Sequence, residues 1–227
     1  MKGTTSGRGG LWRRWWSVTP PSSGAQARGR DDPATAAHQG RYGDAERLLI
    51  AGVKRAERQA DDVPTLIAAL ARLADLYRGQ GRYDEAERLY QRAIGVIEMR
   101  GEEPAALAAL LNSLALVYRA QGMYDLAEPL CRRALAIAER EHGSEHALTA
   151  AAVRNLMTVY LAQHRYREAG PLFRRAVALR ERVLGPQHPA LAGSMSTYAA
   201  FLRHTRADDE AAVWEARAEA IRGGRRR

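Results

Sequence analysis

Three stretches decide the fold: "GRYDEAERLYQRAI" (81–94), "GMYDLAEPLCRRAL" (122–135) and "HRYREAGPLFRRAV" (164–177). They are three copies of one fourteen-residue pattern. Each keeps Tyr at its third position and Ala at its sixth. Aligned on that Ala, the chain repeats at Ala45, Ala86, Ala127, Ala169 and Ala211, with gaps of 41, 41, 42 and 42. A fixed period of this size marks an array of supersecondary units, none of which buries its apolar face alone.

An apolar stretch precedes each of the last four anchors: 65–81, 106–122, 148–164 and 190–206. In the second, Leu107, Leu110, Leu111, Leu114 and Tyr118 recur at three- and four-residue spacing, the helical period. Gly81 and Gly122 then fall where a left-handed residue ends a helix. His164 and Arg206 hold that place in the later copies, where a side chain makes the turn harder to form. A second helix follows, for example from Tyr124 to about Glu141. Asp84 and Asp125 are placed to accept its first backbone N–H groups. Pro129 and Pro171 fall about one turn in, where little intrahelical bonding is yet required. In "VLGPQHPAL" (183–191) Gly185 stops one helix and Pro189 opens the next; Gly143 and His146 take the matching places in "EHGSEHALT" (141–149). Each unit therefore reads as a helix, a tight turn, a longer helix and a short linker. The anchor alanines let paired helices approach closely, and Tyr90, Cys131 or Phe173, four residues later, fills the space beside them.

Composition agrees. Of 227 residues, 46% are hydrophobic, enough for a substantial core, while Phe occurs only 2 times, which favours Ala-rich helices over sheets. The single Cys131 excludes an internal disulfide framework. No apolar run reaches membrane-spanning length and no secretory leader is evident, so a cytoplasmic location is expected. The net charge of +9 sits at the ends. Residues 1–30 carry Lys2, Arg8, Arg13, Arg14, Arg28 and Arg30 without an acid, and Arg222, Arg225, Arg226 and Arg227 close the chain. The body between is close to neutral.

The pattern Leu114-Ala115, Tyr118, Ala127, Cys131, Ala134 resembles the tetratricopeptide repeat family. The longer period and the segments "LNSLALVYRAQGMYDLAEPLCRRALAI" and "VLGPQHPAL" resemble its kinesin-light-chain type in particular. The resemblance implies an all-α fold, a right-handed superhelical solenoid of antiparallel helix pairs. The expected boundaries are a basic leader over 1–31, repeats at about 32–63, 64–104, 105–146, 147–188 and 189–222, and a basic tail over 223–227. The first repeat is degenerate, since "DPATAAHQG" (32–40) is at best half a helix. Glu215 and Glu219, standing at apolar positions of the other copies, suggest a capped last repeat, with Trp214 packed on the preceding helix. A motor partner does not follow, since bacterial proteins also carry this repeat type.

The resemblance also implies a groove lined by first helices. Transferred copy by copy, its positions include Ala71, Asp75 and Arg78; Asn112, Leu116 and Arg119; Arg154, Thr158 and Leu161; Ser196, Ala200, Arg203 and His204. Asn112 and Asn155 match the two Asn of the "LNNLA" segment of such repeats. The expected peptide-binding set is thus Asp75, Arg78, Asn112, Arg119, Arg154, Asn155, Thr158, Ser196, Arg203 and His204. Guanidinium forks suit carboxylates and Asn suits a peptide backbone, so the expected ligand is a protein or peptide segment, acidic in character.

Nothing in the sequence points to catalysis, a cofactor or a small-molecule substrate. His142 and His146, beside Glu141 and Glu145, are the nearest approach to a metal cluster, but they form no HExxH motif and the next linker has His188 without a second His, so they read as linker caps. Cys131 shares a packing position with Tyr90 and Phe173, which suits an inert buried thiol. "LWRRWW" (11–16) concentrates three Trp beside Arg. It carries a second functional reading, an adaptor that meets a membrane surface or nucleic acid through its basic tail.

Overall fold

The computed structural model describes residues 33, 40–58, 62–101 and 104–224. The leader with its Trp cluster, most of "DPATAAHQG" and Arg225–Arg227 lie outside the described residues. The described residues are all-α and carry helices α1 (Tyr42–Arg58), α2 (Val63–Gly79), α3 (Tyr83–Arg100), α4 (Pro104–Ala120), α5 (Tyr124–His142), α6 (Ala147–Ala162), α7 (Tyr166–Leu184), α8 (Pro189–His204) and α9 (Asp208–Gly223). They fall into two compact units. One contains α1–α6 and ends at His164; the other begins at Arg165 and contains α7–α9.

In the first unit α2 pairs with α3 and α4 with α5, while α1, α3 and α5 each pack on the first helix of the next pair. In the second, α8 pairs with α9 and α7 packs on α8. The anchors Ala45, Ala86, Ala127, Ala169 and Ala211 are all fully buried, as are Tyr90, Cys131 and Phe173. A methyl group at each anchor leaves room for the neighbouring helix.

The residue that ends the turn after each first helix is left-handed in all four of these copies. Gly81 and Gly122 have φ of 76° and 78°, and His164 and Arg206 adopt the same region at 59° and 62°. The turn geometry is therefore set by the repeat, and the last two copies hold it with an L side chain against Cβ–carbonyl crowding. Arg206→Gly is expected to raise stability by about 0.5–1 kcal/mol, read from a urea melt, because Gly removes that crowding but brings its own entropy loss.

Linker caps follow the histidines. His146 accepts the Leu148 backbone N–H at Nδ1 (3.2 Å), and His188 accepts that of Ala190 (3.1 Å). The His142 and His146 rings stack at 4.2 Å. Thr149 Oγ1, fully buried, ties the linker down by donating to the Gly143 carbonyl (2.7 Å). His146→Ala should lower stability by about 1 kcal/mol in a thermal melt, and His146→Asn, itself a good cap, should restore most of it.

Two expectations fail. Asp84 and Asp125 do not cap α3 and α5. The N-cap positions are Arg82 and Met123, without side-chain caps, so each Asp is already the second helical residue. Their carboxylates accept instead from the next turn along, Asp84 from Gln121 (3.3 Å) and Asp125 from Gln163 (3.0 Å). Pro129 and Pro171 lie in the interiors of α5 and α7 rather than in a bond-free first turn. Each removes the N–H that would bond four residues back.

Successive copies in the first unit are locked by one recurring pair. The Tyr near the end of a first helix donates its hydroxyl to the Glu that follows the preceding anchor: Tyr77 to Glu46 (2.9 Å), Tyr118 to Glu87 (2.8 Å), Tyr160 to Glu128 (3.3 Å). Arg82 adds two bonds to Glu46 and lies 4.0 Å over the Tyr77 ring; Arg132 donates twice to the Tyr160 oxygen. These part-buried bonds set the register between successive copies of the first unit. The exposed pairs Arg92–Glu57 and Arg133–Glu98 add at most about 1 kcal/mol each.

Candidate functional site

The first helices α2, α4 and α6 of the first unit lie side by side, and α4 contacts both of the others. Seven expected site residues stand on them. Asp75 and Arg78, one turn apart on α2, form an ion pair of 2.9 Å. Tyr90, buried on α3, donates to Asp75 (2.7 Å) and accepts from Arg78 (3.4 Å). Burial opposes the charge on Arg78, but Asp75 and Tyr90 outweigh it and raise its pKa. This guanidinium is neutralised by its own repeat.

The next copy is built differently. Leu116 stands where α2 has Asp75, and Cys131 where α3 has Tyr90. Arg119, at the place of Arg78, keeps one bond, to Thr158 Oγ1 on α6 (3.2 Å). Burial lowers its pKa; Cys131 and Tyr124 raise it and Arg78 lowers it further, and none of these groups is a carboxylate. Arg154 on α6 is lowered by burial and then by the charge of Arg119. Three guanidiniums thus lie within electrostatic reach in succession, two of them with acidity raised by dehydration and mutual repulsion. Burial pushes the Cys131 thiol up to about 12, partly countered by Arg119, so the thiol is protonated and inert at neutral pH.

Beneath the arginines runs a buried amide network. Asn155, 3% exposed, donates to Asn112 Oδ1 (3.2 Å), and its own Oδ1 receives Arg154 Nε (3.4 Å). Thr158 accepts from Arg119 and donates to the Asn155 carbonyl (2.8 Å). Asn112 is 6% exposed, and its Nδ2 has no acceptor. A buried donor without a partner is costly.

The remaining expected residues lie in the second unit and are engaged there. Arg203 forms an ion pair with Glu215 across the α8–α9 turn. Ser196 accepts from Arg222 (2.8 Å), and the His204 ring meets Tyr166 edge-on at 4.8 Å. Trp214 packs against Tyr198 at 5.1 Å. Arg203 occupies the repeat position of Arg78 and Arg119, and Glu215 that of Tyr90 and Cys131. The same two positions therefore face each other in three copies, and their identities decide whether the Arg is neutralised. Sequence reading gave this column on the second helices a packing role only and missed that it faces the arginines; aligning the anchor-plus-four residues against the Arg column would have found the pairing.

Among the described residues no cluster of three or more His, Cys, Asp or Glu is arranged to hold a metal ion, and no helix is long and apolar enough to cross a membrane.

The helix pairs, the buried anchors and the lined face define a helical-repeat protein. The tetratricopeptide repeat family profile matches residues 34–98, 106–169 and 151–223, and the chain belongs to that family. Repeats of this family generally mediate protein–protein interaction. Similar solved structures include BtubC (BKLC) from P. vanneervenii, 24% identical over 86% of this chain and 78% of that one, with a TM-score of 0.76. A putative kinesin light chain with nearly identical TPR-like repeats from Podosopora anserina is 24% identical over 86% of this chain and 93% of that one, with a TM-score of 0.71. MamA follows at 15% identity, 87% and 98% coverage and a TM-score of 0.60. At these identities the likeness concerns the fold. A search of curated protein sequences finds no match.

Proposed function

We propose that the chain is a non-enzymatic interaction scaffold whose α2–α4–α6 face binds an acidic, extended segment of a partner protein in the cytoplasm. The observation that carries this reading is Arg119. Its counterparts Arg78 and Arg203 are each held by a carboxylate, whereas Leu116 and Cys131 leave Arg119 with a hydroxyl and two neighbouring guanidiniums. A carboxylate placed there gains charge-assisted bonds and relieves repulsion that the free protein carries.

The test is fluorescence anisotropy with a labelled, capped hexaglutamate peptide. Wild type is expected to bind it in a salt-sensitive manner, and Arg119→Glu to weaken it by at least about tenfold, the scale of a charge-assisted contact turned repulsive. Arg203→Glu should have far less effect, and deletion of residues 1–30 none. Equal binding by wild type and Arg119→Glu, or loss on deletion of the leader, would overturn the proposal.

A further inference from the structure

The lock between successive copies is missing from one place. Gly170 stands where the other copies carry Glu46, Glu87 and Glu128, and Leu202 stands where they carry Tyr77, Tyr118 and Tyr160. Both partners of the pair are lost together. The first helix of the last copy also inverts its order. Leu73/Tyr77, Leu114/Tyr118 and Leu156/Tyr160 become Tyr198/Leu202, so the aromatic ring moves one turn inward. There Tyr198 is buried, stacks on Phe173 at 5.1 Å and takes a bond from Arg174 (3.4 Å). Arg174 is the counterpart of Arg132, which in its own copy serves the outer Tyr.

The outer position is left open. A cavity of about 810 Å³ lies there, lined by Tyr166, Gly170, Phe201, Leu202 and Thr205 among others. A Cβ added to Gly170 would meet only the Phe201 ring, at 3.6 Å, an ordinary contact. Bulk is thus sterically admissible at Gly170, and the chain does not supply it. The rim carries Arg167, Arg174 and Arg175 against Glu210, which pairs with Arg174 at 2.7 Å. The floor is aromatic and apolar, and the rim is basic.

We infer that this cavity is a second docking site, which takes a Tyr-like aromatic side chain flanked by acidic residues from a partner protein. The occupant supplies what the repeat lacks, a phenol ring beside a carboxylate. The ring lies against Tyr166 above the apolar floor, and the flanking acids meet the rim arginines. The volume falls within the range of small-ligand sites. None of the groove positions on α8 lines the cavity, although His204 touches Tyr166 at its edge, and the site adds to the proposed scaffold function without depending on the α2–α4–α6 face.

The test uses the full chain, ¹⁵N-labelled, with the backbone amides of Gly170 and Thr205 as reporters. The probes are three capped hexapeptides, GEEYEG, GEEAEG and GKKYKG. The first should shift both amides saturably; the other two should bind at least about tenfold more weakly, the effect of losing a hot-spot side chain or its charge match. The double variant Gly170→Glu with Leu202→Tyr restores the pair found in the other copies, and should abolish the response while melting at or above the wild type. Arg119→Glu should leave the response intact. No saturable shift with GEEYEG, an equal response to GEEAEG, or an unchanged response in a folded double variant would each overturn the inference. Should the double variant not fold, the comparison of GEEYEG with GEEAEG on wild type decides. If deleting residues 1–30 alone shifts both amides, the occupant is the chain's own leader, and the inference is likewise overturned.

Discussion

Tyr90→Ala lowers the stability of the chain by roughly 3–5 kcal/mol, the scale of removing a large buried ring. Tyr90 is fully buried beside the Ala86 anchor, and its hydroxyl closes the Asp75–Arg78 pair. Truncation opens a cavity within the α2–α3 pair and removes the phenol from both charged groups. Tyr90→Phe separates the two contributions. It keeps the ring, loses the two polar contacts, and should cost about 1 kcal/mol. Urea melts of the two variants measure the split. A Tyr90→Ala variant as stable as wild type would mean that the second-helix column does not fill the repeat.

Ala127→Leu is the second large effect, a loss of roughly 1–3 kcal/mol through overpacking. Ala127 is fully buried on α5, which pairs with α4. Added methyl groups must push α4 away or leave their rotamer. Ala120→Leu, at an exposed position near the end of α4, is the control and should change stability by no more than about 0.5 kcal/mol. A thermal melt of both variants distinguishes a packing anchor from a helix-favouring alanine, since Ala and Leu have similar helix propensity.

Most of the helical scaffold was legible because its signals repeat. The anchors, the helical period and the left-handed turn residues recur in register, and register alone assigns His164 and Arg206 to turns although neither is Gly. Asp84 and Asp125 were misread because a cap depends on a one-residue boundary. Both α3 and α5 begin at the Tyr before the Asp, which moves the carboxylate past the cap and toward the next copy's Gln. Pro129 and Pro171 were misread on a count within the helix: each is its sixth residue, past the four N–H groups that a helix start leaves unbonded.

The candidate site was legible in position and less so in state. The Arg column and the Asn pair could be assigned by register. Which arginines are neutralised could not, because the deciding groups sit on other helices. Glu215 is twelve residues from Arg203 and reaches it only through the turn between α8 and α9. Asn155, expected in the groove set, turns its amide to Asn112, whose own Nδ2 is buried without an acceptor. The empty Tyr–Glu position at Gly170 and Leu202 appears only when all copies are compared at once.

The most direct measurement is an NMR titration that follows the Asn112 side-chain amide and the Arg119 Nε–H of the full chain as capped hexaglutamate is added. The account predicts that both resonances shift together and saturate with one affinity, while Arg203 stays in place. Shifts confined to the basic ends of the chain, with Asn112 and Arg119 unmoved, would contradict it.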